Sequence, residues 1–178
     1  MLYKLHIENQ KIRSALIVLS ILLIAFYIYA FIQRGFKEFY DEKMDFIRGE
    51  RILNKGLQGF YDNDTYISPY PPLALSLIAL IKALSPSLEV FKTIFFIILL
   101  LTIALFYECL KIYNKDLAPL ILFCFLTFPI LRLGVITLHP TDLLFLLFLL
   151  LSFRFKNKKF LSLTFLGSSI AVKWYSCL

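Results

Sequence analysis

The chain has 178 residues, of which 60% are hydrophobic and 17% charged, with a net charge of +7 and a mean hydropathy of +0.77. A soluble domain is roughly half apolar and about a quarter charged, so a water-soluble fold of this size could not hide the apolar surface, and packed transmembrane helices are expected. The lysines and arginines lie mostly in short segments between apolar runs, which reads as membrane topology and not as nucleic-acid binding.

Ser14 to Gln33 carries no charge over 20 residues, which at about 1.5 Å of rise each matches a hydrocarbon core. Its basic flank precedes Gln33-Arg34-Gly35 in place of a small-residue cleavage site, so it reads as a signal anchor and the first span. From Arg34 to Asp64 the composition changes to six Lys/Arg and seven Asp/Glu, with glycines at Gly35, Gly49, Gly56 and Gly59. Within this water-facing stretch Met44, Phe46, Ile47, Ile52, Leu53 and Leu57 recur at helical spacing, which predicts a short amphipathic helix on the membrane surface. Tyr70-Pro71-Pro72-Leu73 then opens an apolar helix to about Leu84 that contains Lys82. That helix is below the roughly 17 residues needed to span, so it is expected to be interfacial or re-entrant. Residues 34–87 thus form a first outer loop within a single membrane domain, 1–178.

Further spans are expected at Leu88 to Leu110, Leu117 to Val135, Thr141 to Phe153 and Phe160 to Tyr175. If the Pro72 helix does not cross, three basic groups share one side: Lys4, Lys11 and Arg13; Lys111 and Lys115; Arg154, Lys156, Lys158 and Lys159. The positive-inside rule places all three in the cytoplasm. The expected fold is therefore an all-α polytopic bundle of about five spans in the cell membrane, with a cytoplasmic N-terminus. The acidic loop, the His139-Pro140-Thr141-Asp142 turn and Lys173 then converge on the outer face. Cys109, Cys124 and Cys177 lie in apolar segments with no CxxC or Cys/His spacing, so neither a disulfide framework nor a zinc site is indicated.

Three sets of residues could carry chemistry. Asp41 and Asp45 would share a face of the loop helix, where a carboxylate can act as general base on a hydroxyl; on composition alone they solvate an exposed loop. Asp142 suits the cap of the following helix, and His139 is either a water-facing polar residue or a contact for a phosphate or hydroxyl. Lys173, after an apolar run and before Trp174 and Tyr175, either snorkels beside its aromatic neighbours or is functional, as costly intramembrane cations tend to be.

In order along the chain, a first span, Asp45-Phe46, Gly56, Phe60-Tyr61-Asp62 and Tyr70-Pro71-Pro72-Leu73 resemble the start of the family 87 mannosyltransferases. These belong to the GT-C superfamily of polyprenyl-phosphate-dependent glycosyltransferases. The Tyr-Pro-Pro-Leu element is also similar to that of the glucosyltransferases of N-glycan assembly. Phe128-Pro129, His139-Pro140-Thr141-Asp142 and Gly167 to Lys173-Trp174-Tyr175 resemble a later turn and helix of the same superfamily. The resemblance implies inverting hexosyl transfer, of the mannosyl type, from a polyprenyl-phosphate sugar to a hydroxyl of a glycan or lipid acceptor, with no cofactor; nothing in the sequence requires a metal. It implies Asp45 as the catalytic carboxylate, with Asp41 as the fallback. Lys173, His139 and Asp142 would lie at the donor phosphate, and Tyr61 and Tyr70 would line the sugar or anchor at the interface. Members of the superfamily are usually much longer, and Ser176 stands where a proline is usual. The chain is thus expected to be a truncated or split form whose fold a second chain would complete. Rival expectations are a non-catalytic scaffold or a subunit of lipid-linked sugar translocation, and a transporter fragment with Lys173 and Asp142 facing a pathway.

Overall fold

The structure is a computed structural model that describes residues 10–34, 40–63, 71–127 and 140–173, with side chains described for 10–33, 43–60, 71–127 and 140–173. These residues form seven helices and no strand: α1 (Gln10–Arg34), α2 (Tyr40–Asn63), α3 (Pro72–Ala83), α4 (Leu88–Tyr113), α5 (Ala118–Thr127), α6 (Pro140–Arg154) and α7 (Lys159–Val172). Two stretches, Gln10–Gln33 and Leu88–Tyr113, are long and apolar enough to cross a bilayer. α6 contains its expected span of Thr141 to Phe153 with one residue more at each end, whereas the described parts of α5 and α7 are shorter than theirs, and the run beyond Thr127 toward Val135 lies outside the described residues.

Local chemistry sets the helix ends. Proline at the first position of α3 loses no hydrogen bond, because that N–H has no intrahelical partner anyway. Ser87 caps α4 by accepting from Val90 N at 3.3 Å, with Glu89 in the first turn to oppose the helix dipole. Asn114 ends α4 and turns the chain: its Oδ1 accepts from Asp116 N at 3.0 Å and Leu117 N at 3.1 Å, which starts α5. Inside α2, Gly56 has φ 71 and ψ 170, so the helix is broken there into two arms. The expected amphipathic loop helix is therefore longer than its apolar pattern suggests. Part of its apolar face is covered by protein, since Ile52, Phe60 and Leu57 pack with Leu75 and Ala79 of α3, and Phe46 joins the main core.

Side-chain links fix the direction of every long element. Arg13 near the start of α1 pairs with Asp116 at the α4–α5 corner, Nη1 to Oδ1 3.1 Å. Tyr27 donates its hydroxyl to the Leu126 carbonyl near the end of α5, so α1 and α5 run the same way. Phe31 stacks on Phe96 with ring centroids 4.0 Å apart, so the end of α1 meets the beginning of α4. Cys109 Sγ lies 3.5 Å from the Leu150 carbonyl, placing the ends of α4 and α6 together. Ser152 and Ser162 hydroxyls, 3.3 Å apart, close the α6–α7 hairpin at that same end. The result is a path that alternates between two ends of one bundle, with α2 and α3 gathered at the end where α4 begins. One core joins Tyr27 and Phe31 of α1, Ala74 and Ile78 of α3, Phe91 and Phe95 of α4, Leu143 of α6 and Val172 of α7.

Candidate functional site

Asp45 lies in the first arm of α2 and is 1% exposed. Its Oδ1 accepts from Arg48 Nη1 at 2.7 Å, one helical turn away. A buried carboxylate is tolerated only when its charge is answered, and Arg48, one face-sharing step along the helix, supplies that answer. The neighbouring Phe46 fixes the height of this part of α2, since its ring meets Phe91 edge-on at 5.6 Å. Lys82 Nζ sits 4.3 Å from the Phe46 centroid, a cation on the ring's negative face. Close approach of α2 and α3 here depends on Gly49, because a Cβ there would come within 2.7 Å of Lys82 Cβ and 3.2 Å of the Ile78 carbonyl.

Lys173 and Asp142 are brought together as an ion pair, Nζ to Oδ1. Asp142 occupies the first turn of α6, as a helix-capping acid should, but its carboxylate also holds a distant lysine. Lys173 is not inside the helix, as the apolar run suggests. It closes α7 at φ −148 and ψ 78, with its N–H donating to the Ser169 and Ile170 carbonyls. Val172 beside it is fully buried in the main core.

The two ion pairs share one half of the bundle but not one depth. Cys109 is level with Leu150. Counting back along α4 to Phe91 rises about 27 Å, and back along α6 to Asp142 about 12 Å, at about 1.5 Å per residue. The α6–α7 tip therefore lies roughly 15 Å below the Asp45 arm, and α3 packs against both α6 and α7.

Asp41 and Tyr61 fall within α2, but their side chains lie outside the described residues, as do His139 and Tyr70 altogether. Sequence reasoning passed over Lys92. It is 2% exposed on α4, one residue from Phe91, and so at the level of Asp45. The signal was present: a lysine within an apolar run expected to span is costly and marks a site by default. Among the described residues no group of three His, Cys, Asp or Glu side chains is placed to hold a metal. Comparison with protein-family models, with characterised proteins and with solved structures finds no match to the chain.

Proposed function

We propose that the chain is an integral membrane protein with its N-terminus in the cytoplasm, and that it forms the N-terminal part of a GT-C-type glycosyltransferase. In this reading it moves a hexose, mannose by resemblance, from a polyprenyl phosphate to a hydroxyl of a glycan or lipid acceptor. Support for the membrane comes from the outer faces of the bundle. Val18, Ile21, Leu22, Phe26 and Tyr29 of α1 are each more than half exposed. A continuous apolar face of this kind is stable in lipid and not in water.

The observation that carries the enzymatic reading is Asp45, an enclosed carboxylate on the helix of the polar loop, at the end of the bundle opposite the basic groups. As general base it would take the proton of the acceptor hydroxyl. The acceptor oxygen then bonds to the anomeric carbon from the face opposite the carrier. The bond from that carbon to the phosphate oxygen breaks with its electron pair left on the phosphate, which inverts the anomeric centre. Charge builds on the phosphate, and cations aimed at it are worth most in a site that excludes water. The resemblance nominates Lys173 for this place, whereas depth favours Lys92, because base and leaving phosphate must flank a single sugar ring.

Asp45→Asn tests the reading. Transfer of sugar from a labelled polyprenyl-phosphate donor, measured in membranes that carry the chain, should fall about 100-fold or more on loss of a general base. Undiminished transfer in that variant would remove Asp45 from the chemistry. One observation favours a second reading, a non-catalytic scaffold or a subunit of lipid-linked sugar translocation. The Asp45–Arg48 and Lys173–Asp142 charges are already matched within the chain, as in a purely structural network. A scaffold predicts no transfer by the unaltered chain and unchanged partner binding in the variant.

A further inference from the structure

The end of the bundle away from Asp45 carries a different feature. Lys111 in the last turn of α4, Lys115 in the turn that follows it and Arg154 at the end of α6 line a cleft of about 270 Å³, with Glu108 and Ile112 on its wall. Glu108 Oε1 pairs with Lys111 Nζ at 2.5 Å, so three cations face one carboxylate and the cleft keeps a net positive charge. Lys156 lies 4.8 Å from the Tyr113 ring centroid near the same end and adds to that charge.

Alongside runs a second cavity, an almost wholly apolar groove of about 400 Å³ between α1, α4 and α5. Ile17, Ser20 and Ile24 form one wall, Ile103 and Tyr107 another, and Leu122 the back. The Phe31–Phe96 stack lies beyond one end of the groove and the Arg13–Asp116 pair, at the corner after α4, beyond the other. Ser20, halfway along it, is 2% exposed, and its hydroxyl has no hydrogen-bond partner. The two cavities meet at one contact: Lys111 Nζ sits 5.1 Å from the centroid of the Tyr107 ring, which walls the groove.

We propose that cleft and groove together bind one anionic phospholipid of the cytoplasmic leaflet. Its phosphate rests among Lys111, Lys115 and Arg154, and one acyl chain runs up the groove past Tyr107 toward Ser20. A phosphate joined to a long apolar chain is the ligand whose two parts fit both cavities, and basic clefts beside spanning helices attract anionic headgroups. Free phosphate would use the cleft and leave the groove unfilled. The inference rests on the membrane reading of the chain and not on sugar transfer.

Titration of the purified chain in neutral detergent tests it, with dioctanoyl phosphatidylglycerol, dioctanoyl phosphatidylcholine and inorganic phosphate as separate probes and thermal unfolding as readout. Phosphatidylglycerol should raise the melting temperature by several degrees, and neither of the other two should. The K111Q/K115Q/R154Q variant should bind phosphatidylglycerol about tenfold more weakly or worse, since each surface cation contributes to headgroup attraction. Ala104→Phe, which fills the groove while leaving every cation in place, should weaken binding severalfold and gives a second readout should the triple variant fold poorly. Equal stabilisation by phosphatidylcholine, equal stabilisation by inorganic phosphate, or full binding by both variants would each overturn the proposal. Release of the chain from membranes by alkaline carbonate would instead sink the membrane reading, independently of these titrations.

Discussion

Two glycines do different work in the α2–α3 pair. Gly56 breaks α2 with a backbone conformation of φ 71 and ψ 170 that only glycine adopts without strain. Nothing lies within 4 Å of a Cβ built there, so Gly56→Ala adds backbone strain and no clash. Its expected cost is about 1–3 kcal/mol, read as a lower unfolding temperature in micelles; an unchanged melting point would mean the break is not needed. At Gly49 the backbone is ordinary and the space is not, because a Cβ meets Lys82 and Ile78 of α3. Gly49→Val should force α2 and α3 apart and cost about 1–3 kcal/mol as overpacking. The sequence marked Gly49 only as loop composition and Gly56 as loop composition and as one residue of the resemblance. Their separate roles depend on a dihedral angle in one case and on a neighbouring helix in the other, and neither is written in local pattern. Lys92 was different, since its cost in an apolar run is legible without any structure, yet the hydropathy of the whole run absorbed it.

Among elements, the α6–α7 hairpin is held by serines at one end and by the Lys173–Asp142 pair at the other. Lys173→Met removes the cation and leaves the Asp142 carboxylate, whose side chain is 52% exposed. Screening at that exposure limits the expected loss to about 1 kcal/mol. The Lys173→Met, Asp142→Asn double variant should recover most of it, so that a double-mutant cycle on unfolding in micelles returns a coupling of that size. A cycle with no coupling would make the pair incidental. The existence and order of these helices followed from apolar runs and basic flanks, and the proline start of α3 and acidic first turn of α6 followed from local chemistry. The packing of α3 against both α6 and α7 did not, because helical periodicity tells which face is apolar but not which neighbour meets it. In lipid, moreover, that apolar face gains nothing merely by leaving the solvent. Fits such as the Phe31–Phe96 stack then have to stabilise by close contact instead.

At the scale of the whole molecule the question is which surface each end of the bundle meets. The contacts require the Arg13, Asp116 and Arg154 ends to lie together and the Phe31, Phe91 and Asp142 ends to lie toward the other side. If the first end is cytoplasmic, Lys115→Cys and Asn157→Cys should react with a membrane-impermeant thiol reagent only after cells are opened, and Glu50→Cys should react on intact cells. Each is introduced after Cys109, Cys124 and Cys177 are changed to serine. The Asn157 position decides most, because α6 and α7 have 15 and 14 residues and, at about 1.5 Å each, reach only some 20 Å of a 30 Å core. A hairpin this short can keep its turn in the cytoplasm only if its tip stops inside the bilayer and something polar-tolerant covers the Asp142–Lys173 pair there. α3 packs against both hairpin helices and leaves half of the Asp142 side chain exposed. Labelling of Asn157→Cys from outside would reverse the hairpin, put Arg154, Lys156, Lys158 and Lys159 on the far side, and separate the basic cleft from the leaflet that would supply its lipid. Protection of that position on intact cells, together with open access at Glu50, is what a re-entrant outer loop above a half-depth hairpin requires.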